Sequence, residues 1–159
     1  QDELGWDPEA AHVLFPYPPT RDVKDYPRAE RLVAAAEDRL DGPVELHTIS
    51  GVDHAEMYRY MNAADVLLLT SRREGSPNSV KEAMACNLPV VATDVGDVAD
   101  RLADVEPSAV HTDDDALVAS LVEILRRGER SDGRVAIDEI SLAGQIDRLV
   151  GVYRRACDD

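Results

Sequence analysis

Two short apolar runs separated by a helical pattern constrain this chain more than any other feature. Residues 65–70 read Asp-Val-Leu-Leu-Leu-Thr, and residues 88–93 read Leu-Pro-Val-Val-Ala-Thr. Near-continuous apolar runs are typical of strands that are covered on both faces, as in parallel sheets. The intervening residues place apolar side chains at helical spacing, at Val80, Ala83, Met84 and Cys86. Strand, helix and strand therefore predict a right-handed parallel crossover.

The rest of the chain repeats this alternation of strand and helix. Strand patterns occupy residues 12–17, 44–50 and 108–111, and helical patterns occupy residues 27–40, 55–63, 97–104, 113–127 and 141–156. We predict an α/β fold, a Rossmann-like parallel sheet flanked by helices. Residues 12–159 are expected to form one domain, and residues 1–11 a lead-in segment or the remnant of an interdomain connection.

Two details of these helices are predicted from side-chain patterns. In the helix over residues 55–63, Met57, Tyr58 and Met61 are expected to point inward. The three aspartates of residues 113–115 invite a metal interpretation, but carboxylates that precede an amphipathic run stabilise the amino end of a helix. We therefore interpret them as a helix cap.

The charge of the chain limits its partners. The 159 residues carry a formal net charge of −15, and Lys24 and Lys81 are the only lysines. Nucleic-acid binding depends on clustered cations that neutralise phosphates, so that class is disfavoured. An acidic surface whose cations are nearly all arginine is expected of a salt-adapted protein, because salt screens self-repulsion.

Cysteine, histidine and hydropathy patterns indicate no further chemistry. Cys86 and Cys157 lack the spacing of a metal site or a disulfide framework, so we expect free thiols in a reducing cytoplasm. The four histidines show no metal-ligand spacing and are interpreted as structural, at His12, His47, His54 and His111. No apolar segment reaches the roughly 20 residues of a membrane span, and no signal peptide opens the sequence. We expect a cytoplasmic protein without a metal.

The loop after the first of the two apolar runs carries the functional argument. Ligands bind outside the carboxyl ends of strands in parallel sheets, which places residues 71–78 at the expected site. Gly75 allows close approach of the backbone, and the amides around residues 76–79 begin a helix whose positive end suits a phosphate or sugar hydroxyls. Glu74 projects from the loop and Glu82 follows one turn into the helix, so both carboxylates are expected to face one pocket.

This part of the sequence resembles a known enzyme family. The residues that carry the resemblance are Ser71, Glu74-Gly75-Ser76-Pro77, Glu82-Ala83-Met84-Ala85, Pro89-Val90-Val91 and Thr93-Asp94-Val95-Gly96. Together they are similar to the carboxyl-terminal half of GT-B retaining glycosyltransferases, in the large family called family 4 or glycosyl transferases group 1. The two glutamates of its signature, with seven residues between them, are matched by Glu74 and Glu82.

The resemblance implies a role for each matched position. Arg21 and Lys24 would bind the diphosphate of a nucleotide sugar, and Glu82 would accept hydrogen bonds from the ribose. Glu74 would be the catalytic residue at the sugar, and the remaining donor contacts would come from Gly75, Ser76, Pro77, Asn78 and Ser79. The simpler alternative is that Arg21 and Lys24 are solvated loop cations and that Glu74 is a solvated loop acid.

The resemblance also implies an activity and its partners. The expected reaction is transfer of a hexose or related sugar, with retention, and it needs neither a metal nor a cofactor besides the donor. The acceptor would be a glycan, a lipid carrier or a small molecule, and membrane association would occur only through it. An amino-terminal GT-B domain, absent from this sequence, would complete the cleft, so the chain alone is expected to be inactive.

Two other functions remain open. The first is a nucleotide-sugar-binding module without turnover of its own. The second is a regulatory doubly wound domain of the receiver type, which is disfavoured because the first strand is followed by Pro16 to Thr20 and then cations instead of an acidic cluster. Fold alone does not separate these functions.

Overall fold

A five-stranded parallel sheet organises the computed structural model, which describes residues 1–138. The strands are β1 (Ala11–Phe15), β2 (Val44–Thr48), β3 (Val66–Leu69), β4 (Val90–Thr93) and β5 (Ala109–His111). Their order across the sheet is β2-β1-β3-β4-β5, and every neighbouring pair is parallel. The predicted parallel crossover and the edge position of the last strand are confirmed.

The helices alternate with the strands. They are α1 (Tyr26–Glu37), α2 (Met57–Ala63), α3 (Asn78–Ala85), α4 (Val98–Leu102), α5 (Asp114–Arg127) and α6 (Gly133–Asp138). Single 3-10 turns cover Asp2–Leu4, Asp22–Lys24 and His54–Glu56. The helix expected over residues 141–156 lies outside the described residues, and α6 is a helix that the sequence did not predict.

The core lies between the sheet and two groups of helices. Every residue of β3 and β4 is buried, as expected for strands covered on both faces. α1 packs against α5, and α3 packs against α2 and α6. Among the helices of the described part, none combines the length and apolarity that crossing a membrane requires.

Local signals set the ends of the helices. The Asp113 carboxylate accepts a hydrogen bond from the Ala116 amide at 3.0 Å, which confirms the capping interpretation of the aspartate triplet. Asn87 ends the α3 segment with a positive φ of 52°, which asparagine tolerates. The inward orientation predicted for Tyr58 is wrong: its side chain is 56% exposed, while Met61 takes the buried position on α2.

Candidate functional site

The candidate site lies where three loops leave the carboxyl ends of neighbouring strands. β1, β3 and β4 are adjacent and parallel, so the loops of residues 16–25, 70–77 and 94–97 emerge at the same edge of the sheet. This edge is where doubly wound α/β proteins bind their ligands. The residues predicted from the sequence lie on the first two loops and on α3.

A buried ion pair joins the first two loops. Lys24, in the 3-10 turn after β1, is only 5% exposed, and its Nζ lies 2.5 Å from Oε1 of Glu74. The same ammonium group lies 3.6 Å from the centroid of the Tyr17 ring. A desolvated lysine needs such a carboxylate and is further stabilised over an aromatic face. Glu74 is therefore not a solvated loop acid, since its side chain is 14% exposed.

The turn that carries Lys24 is anchored to the end of β3. The hydroxyl of Thr70 donates to the carbonyl oxygens of Lys24, at 2.8 Å, and Asp25, at 3.1 Å. Arg72 Nε donates to the Asp25 carboxylate at 3.0 Å, and this hydrogen bond outweighs burial and holds the pKa of Asp25 below its usual value. Thr70 and Asp25 are site-shaping residues that the sequence reasoning missed.

The start of α3 is held in the same way. Pro77 precedes the first helical residue, Asn78, as the loop pattern predicted. Ser79 is buried, and its hydroxyl hydrogen-bonds to the Tyr17 hydroxyl across the loops. Because the first amides of a helix have no partner within the helix, the exposed residues Ser76 and Asn78 present donors at this end.

The loop after β4 packs against the loop of residues 70–77. Gly96 has a φ of +60°, and a Cβ placed on it would lie 2.1 Å from the carbonyl oxygen of Gly75. The Asp97 amide donates to that same oxygen at 3.0 Å. Only a glycine permits this approach, because an added side chain would collide with backbone.

Asp97 and Arg101 extend this support to Ser76. Arg101 donates to the Asp97 carboxylate at 2.6 Å and to the Ser76 hydroxyl at 3.1 Å. Burial raises the pKa of Asp97, but its polar and charged neighbours, Arg101 first among them, together lower it more, so the pKa lies below its usual value. Gly96 belongs to the motif that carries the resemblance, whereas no role for Asp97 or Arg101 was predicted from the sequence.

Glu82 and Arg21 lie at the two ends of this arrangement. Glu82 is partly buried on α3, and its Oε1 lies 3.6 Å from Nδ1 of His54, in the turn before α2. Arg21 is exposed, with its guanidinium carbon 5.7 Å from the centroid of the Tyr17 ring. The structure thus brings Arg21, Lys24 and Glu74 together around Tyr17, whereas Glu82 contacts His54 instead.

Half of the residues that line a cavity beside Asp97 and Arg101 are acidic. It measures about 600 Å³ and is lined by Met84, Asp97, Asp100, Arg101, Asp104, Asp132, Val135 and Ala136. Four carboxylates against one guanidinium do not favour a diphosphate. Within residues 1–138, Arg21, the buried Lys24 and the start of α3 are better suited to an anionic ligand than this cavity is.

Comparisons with known proteins identify a family for this chain. A sequence model of the family described as Glycosyl transferases group 1 matches residues 23–127. The D-inositol 3-phosphate glycosyltransferase of Mycolicibacterium gilvum (strain PYR-GCK) is 34% identical over 112 residues, which cover 67% of this chain and 25% of that protein. The chain thus spans about a quarter of the length of this relative.

Solved structures share the fold at low sequence identity. WaaG, a glycosyltransferase involved in lipopolysaccharide biosynthesis, matches with a TM-score of 0.68 and 21% identity, covering 87% of this chain and 43% of that one. Sucrose-phosphate synthase of Thermosynechococcus elongatus matches with a TM-score of 0.69 and 19% identity, covering 98% and 48%. Each shares its fold with this chain over less than half of its own length.

Proposed function

The chain belongs to the glycosyl transferases group 1 family and has its GT-B, Rossmann-like fold, and from this we propose that it forms the donor-binding half of a glycosyltransferase. In the proposed reaction a hexose or related sugar moves from a nucleotide diphosphate to an acceptor with retention at the anomeric carbon. An acceptor site outside this chain completes the enzyme, so the chain alone binds the donor without turning it over.

The buried pair of Lys24 and Glu74 carries the proposal. A nucleotide sugar has its scissile bond between a phosphate oxygen and a sugar carbon, so its site needs a cation next to a group that faces the sugar. Lys24 Nζ and Glu74 Oε1 lie 2.5 Å apart at the ligand-binding edge of the sheet, which supplies this combination. We assign Lys24 to the phosphates and Glu74 to the sugar.

The other site residues extend the assignment along the donor. Arg21 lies beside the same Tyr17 ring and is assigned to the diphosphate. The loop and helix start over residues 75–79, with the exposed Ser76 and Asn78 as its amide donors, are assigned to the terminal phosphate and the sugar hydroxyls. Glu82, beside His54, is assigned to the ribose at the opposite end.

The proposed chemistry relies on charge that grows in the transition state. When the bond to the sugar breaks, negative charge collects on the leaving phosphate. Fixed cations and the amino end of α3 stabilise that charge without reorganising, and a neighbouring carboxylate orients the sugar or supports an oxocarbenium-like carbon. No divalent ion is needed in this scheme.

Calorimetry on the chain tests the phosphate assignment. UDP, GDP and ADP are compared with their nucleosides, in the presence of EDTA, in wild type and in Arg21→Ala and Lys24→Met. We expect one diphosphate to bind well above its nucleoside, and each substitution to weaken the diphosphate about tenfold or more while leaving the nucleoside unchanged.

Two controls accompany this test. Arg31→Ala removes an exposed arginine from α1 and should not affect binding. Lys24→Met leaves the Glu74 carboxylate unpaired and can cost about 3–5 kcal/mol of stability. Arg21 is exposed, so Arg21→Ala tests the phosphate assignment even if Lys24→Met does not fold. Equal loss of diphosphate and nucleoside, or binding that requires Mg²⁺, would contradict the assignment.

A further inference from the structure

Three side chains from two neighbouring strands meet at the amino-terminal part of the sheet, in a place that the donor site does not use. His12 lies on β1, and Glu45 and His47 lie on β2. The strands are parallel and in register at His12 and Glu45, and alternate residues of a strand share a face, so all three side chains lie on one side of the sheet. We propose that they form a binding site for a divalent transition metal, with Zn²⁺ as the favoured ion.

The three ligand atoms have the spacing of one coordination sphere. His12 Nδ1 and His47 Nε2 are 2.9 Å apart. Glu45 Oε2 lies 3.5 Å from His12 Nδ1 and 3.3 Å from His47 Nε2. Zinc binds imidazole nitrogen and carboxylate oxygen at about 2.0–2.2 Å, so ligand atoms around one tetrahedral ion lie about 3.3 Å apart. An ion that bonds all three atoms fits with little movement of the side chains.

The surroundings of His12 fix the nitrogen that faces this point. His12 is fully buried, and its Nε2 lies 2.9 Å from the carbonyl oxygen of Asp7. A carbonyl accepts only, so Nε2 carries the proton and donates, which leaves the lone pair of Nδ1 directed toward His47 and Glu45. A backbone carbonyl that orients a histidine in this way is the usual support of a metal ligand.

The remaining two ligands suit the same role. The His47 side chain is only 18% exposed, and its Nε2 faces the other two ligand atoms, 2.9 Å from His12 Nδ1 and 3.3 Å from Glu45 Oε2. In the absence of metal, His47 Nε2–H donates to His12 Nδ1. On binding, the His47 proton shifts from Nε2 to Nδ1 of the same ring, which frees Nε2, and the ion replaces the hydrogen bond. Glu45, 43% exposed, supplies the negative charge and faces solvent, which gives the ion a route of entry and a place for water as the fourth ligand.

Such an ion would fasten the edge of the sheet. β2 is an edge strand, and Trp6 stacks on His47 with ring centroids 3.7 Å apart and an angle of 9° between the planes. An ion on His12, Glu45 and His47 would join β1, β2 and the segment around Trp6. Its role is therefore structural and independent of the donor loop.

Trp6 provides a local reporter, because it is the only tryptophan of the chain. The untagged protein, stripped with chelator, is titrated with Co²⁺ while Trp6 fluorescence and the visible absorption of cobalt are followed. We expect saturable quenching at one ion per chain, a cobalt spectrum of low coordination number, and displacement of cobalt by Zn²⁺. A hundredfold excess of Zn²⁺ over its dissociation constant should raise the melting temperature by about 5–10 °C.

Matched variants assign the ligands. Glu45→Gln and His47→Gln should weaken Zn²⁺ at least about 10–100-fold, the range known for even the supporting partners of metal ligands. Glu123→Gln and His54→Gln replace exposed residues of the same types and should bind like wild type. Because Glu45 is half-exposed, Glu45→Gln is expected to fold even if His47→Gln does not.

The proposal is overturned if quenching stays linear without saturation, or if Glu45→Gln binds Zn²⁺ as tightly as wild type. The His12–His47 contact would then be a plain hydrogen bond between two imidazole rings. None of these readouts involves a nucleotide, so the result is independent of the donor site.

Discussion

Glu74 forms an ion pair with Lys24, whereas Glu82 does not. This difference allows the proposed roles of the two glutamates to be tested separately. Their side chains are only 6% and 14% exposed, so neither charge is well solvated without the other. A diphosphate that binds Lys24 must therefore compete with Glu74 or displace it. Glu82 is not held in such a pair, because its Oε1 lies 3.6 Å from Nδ1 of the exposed His54.

Substitution of each glutamate by glutamine should separate the proposed roles. Glu82→Gln removes a charged acceptor from the ribose, so nucleoside diphosphate and nucleotide sugar should both bind about 1.5–3 kcal/mol more weakly. Glu74→Gln releases Lys24, so the free diphosphate should bind as well as before or slightly better. In the proposed two-domain enzyme, Glu74→Gln should lower kcat, as expected when an interaction forms mainly in the transition state.

Calorimetry and steady-state kinetics measure the two effects, with the exposed Glu123→Gln on α5 as the control. If both substitutions produced the same binding defect for the free nucleoside diphosphate, the division of roles would be wrong. If neither changed binding or turnover, the donor-site assignment itself would have to be abandoned.

One close backbone contact helps to position the loop that leads into α3. Gly96, after β4, lies against the carbonyl of Gly75, in the loop that leads into α3. Displacement of Gly96 would therefore move the loop that carries Glu74 and Ser76. Gly128, at the end of α5, has the same φ of +60°, but a Cβ placed on it would have no neighbouring atom within 4 Å.

These two glycines form a matched pair for mutation. Gly128→Ala should cost only the left-handed backbone strain, about 1–2 kcal/mol, and leave ligand binding intact. Gly96→Ala adds a collision with backbone, so it should destabilise the protein more and weaken nucleotide diphosphate binding as well. Thermal unfolding and calorimetry of both variants measure the difference; equal effects of the two substitutions would show that the contact with Gly75 does not hold the donor loop.

The elements near the site were predictable because their signals are local. The run of residues 75–78, Gly-Ser-Pro-Asn, contains both the turn and the helix start, and α3 begins at Asn78 as expected. Helix facing was less predictable: Met57, Tyr58 and Met61 are all apolar, and only packing decides that Tyr58 stays outside. α6 was not predicted because residues 128–133 begin and end with glycine and read as a break, although Ser131 and Asp132 are residue types that often precede a helix.

Contacts between elements were beyond the reach of sequence patterns. His12 and His47 are 35 residues apart, and their contact follows from the register of β1 with β2, which no spacing rule reveals. The same holds for Lys24 and Glu74, separated by 50 residues. Resemblance selected Lys24 and Glu74 as functional residues, but only the fold shows that they pair.

For the molecule as a whole, charge is the dominant feature. With 32 acidic and 17 basic residues, the folded chain concentrates like charge in a small volume. Self-repulsion of this kind opposes the compact state. Ion pairs such as Arg59 with Glu56 and Arg28 with Asp114 offset part of it, but exposed pairs contribute little each and are themselves weakened by salt.

Salt should therefore stabilise this protein through screening. The Debye length falls from about 10 Å at 0.1 M to about 3 Å at 1 M, so repulsion between carboxylates that are not in contact is removed first, while close ion pairs lose less. We expect the melting temperature to rise from low salt toward molar KCl. In the double variant Glu9→Gln and Asp41→Asn, which removes two exposed acids beside the same surface cavity, the low-salt melting temperature should be higher and its dependence on KCl weaker. A melting temperature that stayed constant or fell with KCl would mean that the acidic surface is not an adaptation to salt. An equal rise in wild type and in the double variant would assign the effect to general salting-out instead of charge. Salting-out strengthens apolar burial and does not depend on those two carboxylates.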